Sequence, residues 1–107
     1  MISSRWVLTA AHCMDGVKTQ KVKVTLGEFD VSTSGETDNK QVVGAEKVFI
    51  HEGFDYDTFD NDISLIKLSH DVDLDLFTPV CLPQGDMNKD NADVWITGEV
   101  VCLYFNE

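Results

Sequence analysis

Basic residues are scarce in this chain of 107 residues: 8 Lys and Arg stand against 19 Asp and Glu, a formal charge of −11. Binding nucleic acid requires cations that displace phosphate counterions, so this balance argues against a nucleic-acid partner. The same repulsion argues against an anionic membrane surface. Long apolar runs are missing as well, and no stretch approaches the roughly eighteen residues that a bilayer span needs. The opening Met1-Ile2-Ser3-Ser4-Arg5 lacks the apolar core of a secretory signal. The three cysteines, Cys13, Cys81 and Cys102, form no C-x-x-C pair, and their odd number implies an unpaired thiol or an absent partner. The clustered spacing of a structural zinc site is not there either. His12 and Cys13 are adjacent and cannot easily share one ion, and His51 and His70 stand apart. There is no internal repeat and no low-complexity segment. What remains is a soluble, acidic chain of one domain at most. Its 43% hydrophobic and 25% charged residues match a globular composition.

The hydrophobic pattern alternates rather than following a helical period. Lys21–Leu26 places Val22, Val24 and Leu26 on one face and Lys21, Lys23 and Thr25 on the other, which predicts a strand half covered by a core. Val42–Ile50 is a second β-rich run, with a bend or bulge expected at Gly44-Ala45. Ile63–Leu68 is a third, apolar enough to be buried on both faces for part of its length. Trp6–Leu8 and Val94–Thr97 are shorter runs of the same kind. The only helical piece expected is a turn over Thr9–His12, with Thr9 as its cap. Ser32–Lys40 and Gln84–Asp93 are loops by composition. Asp71-Val72-Asp73-Leu74-Asp75-Leu76 alternates and is expected to pack its apolar side. Short strands separated by loops predict an all-β barrel or sandwich.

Two segments carry chemistry, Leu8-Thr9-Ala10-Ala11-His12-Cys13 and Asp60-Asn61-Asp62-Ile63-Ser64-Leu65-Ile66-Lys67-Leu68. They offer a histidine on a tight turn and a carboxylate just before a buried strand. A histidine oriented by a buried acid is the base half of a nucleophilic hydrolase, because the acid fixes the tautomer and stabilises the imidazolium. Taken singly, each has a plainer reading, a structural or solvated histidine and a solvated turn aspartate.

Together these segments resemble the histidine and aspartate signatures of the trypsin/chymotrypsin family of serine endopeptidases. Further likenesses follow in the family's order at Leu26-Gly27-Glu28, Pro79-Val80-Cys81-Leu82-Pro83 and Trp95-Ile96-Thr97-Gly98, so the resemblance spans about residues 2 to 98. It implies an all-β fold, an incomplete N-terminal antiparallel β-barrel of the two-barrel chymotrypsin-like architecture. Residues 1–98 would be a partial peptidase domain without its first strands, and 99–107 an off-pattern tail. His12 would be the general base, and Asp62 the acid that accepts a hydrogen bond from its imidazole. Asp60 is expected to be a solvated turn carboxylate instead.

The resemblance also says what is missing. The family's nucleophile lies in a Gly-Asp-Ser-Gly-Gly segment, and none of Ser3, Ser4, Ser32, Ser34, Ser64 and Ser69 has that context. The oxyanion hole and specificity pocket belong to the same half, so this chain alone is expected to be inactive. A cysteine expected to pair with Cys13 would lie upstream, where Met1 replaces the usual Leu. Cys81 resembles the cysteine that tethers a pro-segment or light chain. Beyond Gly98 the family continues Trp-Gly, whereas here the chain reads Glu99-Val100-Val101-Cys102. Gly-Glu can be encoded by a splice-donor-like GGT GAG, which suggests intron read-through, and Cys102 has no role in the pattern.

The family implies a protein or peptide substrate, an oxidising extracellular location inferred from its disulfides, and no cofactor. Some relatives bind calcium in a loop opening Leu-Gly-Glu, and Glu28, Asp30, Glu36 and Asp38 could supply hard oxygen ligands. The loop is one residue short of that pattern, so a solvated acidic loop is the preferred reading over a calcium-dependent binding module. The eight acids between Glu52 and Asp75 are expected to be solvated surface, Asp62 excepted. The alternative to an endopeptidase fragment is a non-catalytic protease homologue that binds or regulates a partner through its acidic surface. Retention of both His12 and Asp62 favours the enzyme fragment.

Overall fold

The structure is a computed structural model, and it describes residues 1–27 and 40–85. Within them the regular elements are four strands: β1 (Trp6–Thr9), β2 (Lys23–Leu26), β3 (Gln41–Ile50) and β4 (Ser64–Leu68). The one helical element among these residues is a single 3-10 turn at Thr19–Lys21. All pairings are antiparallel, in the order β1-β4-β3-β2.

Strand β3 gives the sheet its curl. Its first half pairs with β2, Gly44 opposite Lys23, and its second half pairs with β4, Ile50 opposite Ser64. The change of partner falls where Ala45 faces Leu68 and Lys47 faces Lys67, so Glu46 is the extra residue of a bulge. A bulge bends and over-twists its strand, and the expected interruption at Gly44-Ala45 therefore lies one residue further on. Glu46 turns the bulge into a junction. Its carboxylate accepts from Arg5 Nη2 at 2.7 Å and from Lys67 Nζ at 2.9 Å. The Lys67 hydrogen bond, followed by Arg5, holds the Glu46 carboxyl below the usual carboxylate range. Lys47 and Lys67 are opposite each other in the register, but their ammonium groups have different partners: Lys67 Nζ bonds Glu46, and Lys47 Nζ lies 4.7 Å from the centre of the Phe49 ring.

The alternation of each strand sorts its side chains onto two faces. Val22, Val43, Ile66, Leu68 and Val72 form the buried core, with Val43 and Leu68 fully enclosed. Val7, Val24, Leu26, Val48 and Phe77 pack around it. On the opposite face Trp6 and Phe49 approach with ring centroids 5.7 Å apart. Leu8, Phe49, Ile63 and Leu65 there line an open apolar depression of about 200 Å³. Strand β4 is thus fully buried on the core side, at Ser64, Ile66 and Leu68, and only half-buried on the other.

Three local expectations change. The strand read over Lys21–Leu26 begins at Lys23, because the amides of Lys21 and Val22 are committed to the carbonyls of Lys18 and Thr19 in the 3-10 turn. The turn read over Thr9–His12 starts at Ala11, whose carbonyl accepts from the amides of Met14 and Asp15, both at 2.9 Å. Thr9 belongs to β1 and caps nothing. The Asp71–Leu76 alternation packs only one of its three apolar residues. Val72 enters the core, but Leu74 and Leu76 are exposed, and the Asp73 carboxylate captures the Asp75 amide at 2.9 Å. A side chain bonding the backbone two residues on makes a turn, which competes with sheet. Val94–Thr97, the loop at Ser32–Lys40 apart from Lys40 itself, the acidic ligand candidates Glu28, Asp30, Glu36 and Asp38, Cys102 and the 99–107 tail lie outside the described residues.

Candidate active site

Strands β1 and β4 run side by side, with Thr9 opposite Ser64. The segment leaving the end of β1 and the segment entering β4 therefore meet at one end of the sheet. His12 is three residues past Thr9 and Asp62 two residues before Ser64, so antiparallel pairing brings them together across 50 residues of sequence.

The contact has two parts. Asp62 Oδ1 accepts the backbone amide of His12 at 2.8 Å. Asp62 Oδ2 lies 2.6 Å from His12 Nδ1, the length of a charge-assisted bond. The first of these also caps the Ala11 turn: an early amide of a helical turn lacks an internal acceptor, and here a distant carboxylate supplies one. The carboxyl of Asp62 is held below the usual carboxylate range, chiefly by the His12 amide, then by the imidazole and the Ala11 amide, against the opposing effect of partial burial. An ionised carboxylate only accepts, so His12 Nδ1 must be the donor. In the neutral ring that leaves Nε2 as the unprotonated, accepting nitrogen. The arrangement is a base whose tautomer is set.

The surroundings hold this geometry. Ser64 is the buried polar side chain of the core face, 2% exposed. Its Oγ donates to the Ala10 carbonyl at 3.0 Å, pinning the histidine turn to β4. Phe59 meets the His12 ring edge-on, centroids 5.6 Å apart, and Tyr56 and Phe54 continue an aromatic row from it. Cys13 Sγ lies 3.4 Å from His12 Nε2. The His12 side chain keeps 43% of its surface exposed and Asp62 22%, so the acid is the more enclosed of the two and the base faces outward.

The other candidates fall elsewhere. The Asp60 carboxylate is exposed; its backbone carbonyl accepts the Asp55 amide. His51 Nδ1 accepts the Gly53 amide at 3.1 Å, and His70 contacts Gln41 and Ser69. Cys13 and Cys81 are exposed free thiols. No group of three or more His, Cys, Asp or Glu among the described residues could hold a metal. The sequence marks no role for Phe59 or Asn61, and Ser64 figures there only as a serine outside the nucleophile context, although Asn61 stands inside the Asp60-Asn61-Asp62 motif.

A family model described as Trypsin matches residues 1–99. The chain belongs to the trypsin family. It is 38% identical over 99 residues to the serine protease filzig of Drosophila melanogaster, covering 92% of this chain and 6% of that protein. It is 38% identical over 106 residues to the serine protease grass of the same species, covering 87% of this chain and 28% of the relative. It is 37% identical over 98 residues to a collagenase of Hypoderma lineatum, covering 91% and 35%. The chain therefore spans between 6% and 35% of the length of these relatives. Within the family, the curled antiparallel sheet is an incomplete N-terminal barrel of the two-barrel fold.

Proposed function

We propose that this chain carries the base-and-acid half of a serine endopeptidase. His12 Nε2 takes the proton of a serine hydroxyl as that oxygen attacks a peptide carbonyl. The same nitrogen then returns the proton to the leaving amine. Asp62 holds Nδ1 as donor throughout and stabilises the imidazolium formed between the two transfers. The observation that supports this reading most is the two-point contact, Nδ1 to Oδ2 at 2.6 Å and the amide to Oδ1 at 2.8 Å.

The peptidase domain is residues 1–98 and 99–107 an off-pattern tail, a boundary one residue short of the family match at 1–99. No serine of the sequence lies in a Gly-Asp-Ser-Gly-Gly context, so the 107-residue chain by itself is inactive and the nucleophile comes from a segment outside it. The substrate is protein or peptide, the compartment is extracellular, Cys81 tethers a pro-segment or light chain, and no cofactor takes part. Relatives named as proteases and a collagenase support the substrate class. The pairing of His12 with Asp62 favours catalysis over a role as a purely binding homologue, which would not need it.

A fluorophosphonate probe, which marks an activated serine, tests the proposal. The 107-residue chain is expected to stay unlabelled. A longer product of the same gene that includes a Gly-Asp-Ser-Gly-Gly segment is expected to be labelled and to lose labelling in His12→Ala. Labelling of a serine within residues 1–107 overturns the inactive-fragment reading, and labelling of the longer product that survives His12→Ala overturns the role of His12.

A further inference from the structure

The chain enters β4 through a tight turn in which the Ile63 amide donates to the Asn61 carbonyl at 2.7 Å, a three-residue γ-turn centred on Asp62. Asn61, the residue that opens this turn, sits in the left-handed region at φ 55°. Asn is one of the few residues that adopts this conformation at low cost.

The Asn61 side chain then does what the backbone no longer can. The ladder between β3 and β4 continues past Ile50 and Ser64 through the His51 amide, which donates to the Ile63 carbonyl at 3.1 Å. One step further the γ-turn has diverted the β4 side, and Asn61 Nδ2 donates to the Gly53 carbonyl at 2.8 Å in its place. Only the amide nitrogen of an Asn side chain can donate to a carbonyl, so the orientation of the group follows. Gly53 is matched to this contact. A Cβ built there would lie 3.1 Å from Asn61 Nδ2 and 3.4 Å from His51 Nδ1. Phe59, the ring against His12, also has a positive φ of 58°, a costly conformation for a bulky residue that persists only where its surroundings hold it.

We propose that Asn61 is a positioning residue that aims the Asp62 carboxylate at His12, through its left-handed backbone and through the clamp from its side-chain amide to the Gly53 carbonyl. The hydrogen bonds of Asn61 run to Gly53 and Ile63 rather than to His12, so it acts through Asp62. The inference rests on the proposed role of His12 and Asp62. Its readout is the imidazole tautomer rather than hydrolysis, so it stands or falls separately from that role.

The test is nitrogen-15 NMR of the histidine rings in the 107-residue chain. The unsubstituted chain is expected to show His12 in the Nδ1–H form, with a low-field Nδ1 proton shielded from exchange. Asn61→Asp keeps tolerance of the left-handed region but presents oxygens to the Gly53 carbonyl, and Asn61→Ala removes both the clamp and the backbone preference. Both are expected to lose the low-field proton and shift His12 toward a mixture of tautomers, while the methyl resonances of Val43 and Leu68 stay in place. Asn61→Gly, which keeps the backbone and drops the clamp, is expected to show partial loss. Gly53→Ala, which leaves Asn61 in place and crowds its amide, is expected to act in the same direction and decides the matter where an Asn61 variant does not fold. An unchanged His12 tautomer in Asn61→Asp and Asn61→Ala overturns the proposal. So does loss of the core methyl pattern in both Asn61→Asp and Gly53→Ala, since the clamp would then be an element of the fold.

Discussion

Ser64→Ala is the substitution that most directly probes how the sheet supports the histidine turn. The hydroxyl is 2% exposed and donates to the Ala10 carbonyl at 3.0 Å. Its second contact, to the Thr9 carbonyl at 3.5 Å, is too long to add much. Removing the donor forfeits a net hydrogen bond of about 1 kcal/mol and leaves a part-buried carbonyl short of a partner, so the total loss is expected to be about 1–2 kcal/mol. With a urea slope of about 1–1.5 kcal/mol per molar for a chain of this size, the unfolding midpoint falls by roughly 1 M. Ser64→Cys keeps the volume with a weaker donor and is expected to fall between the two. Hydrogen exchange adds a local readout: the amides of Met14 and Asp15, bonded to the Ala11 carbonyl, lose protection in Ser64→Ala by more than those of β2. A midpoint change equivalent to less than about 0.3 kcal/mol would refute the reasoning, because a single hydrogen bond to a buried serine is worth more than that. Equal effects on the histidine turn and on β2 would refute the local part.

Leu68→Ala removes a fully enclosed core side chain and is expected to cost about 3 kcal/mol in chemical denaturation, more than Ser64→Ala. The Asp62 carboxyl is held low in the folded chain. Its contribution to stability is therefore complete above the ordinary carboxylate pKa and is lost as pH falls through the lowered folded value. A carbon-13 titration should place the Asp62 midpoint below the ordinary carboxylate range, and His12→Ala should raise it only part of the way because the backbone amides remain. Gly16 has φ 72° just after the histidine turn, so Gly16→Ala is expected to destabilise the chain by about 1 kcal/mol in the same denaturation assay. Glu46→Gln breaks the junction to Arg5 and Lys67; its effect on the unfolding midpoint should shrink when salt is raised from about 50 mM to about 1 M, as half-exposed ion pairs are screened.

How far the sequence was legible depended on the range of the interactions. Strands β1, β3 and β4 could be read because each is a local run of β-branched, aromatic and other apolar residues, although β4 is fully buried on one face only. The Val22, Val24 and Leu26 face was likewise legible, and all three reach or flank the core. The histidine turn was displaced by two residues because its capping acceptor is Asp62, 50 positions away, and no window around Thr9 contains that. Asp71–Leu76 departs from its alternation for a local reason: Val72 packs as expected, but the Asp73 side chain takes the Asp75 amide and closes a turn that leaves Leu74 and Leu76 exposed. His12 and Asp62 were found through the two signature segments, since nothing local shows that the residues meet. Asn61 sat in the same segment and was passed over, because its role depends on a backbone angle and on Gly53, eight residues earlier. An Asn just before a functional acid at a strand entrance is a signal that could have marked it.

Peptide hydrolysis by the full product of this gene, beside its His12→Ala variant, decides whether His12, held by Asp62, acts as the proposed base. The full product is expected to cleave peptide bonds and the variant to lose about 10²–10⁴-fold in kcat/KM, the usual contribution of a positioned base. Equal rates in the two proteins, or a full product that cleaves nothing, would contradict that role.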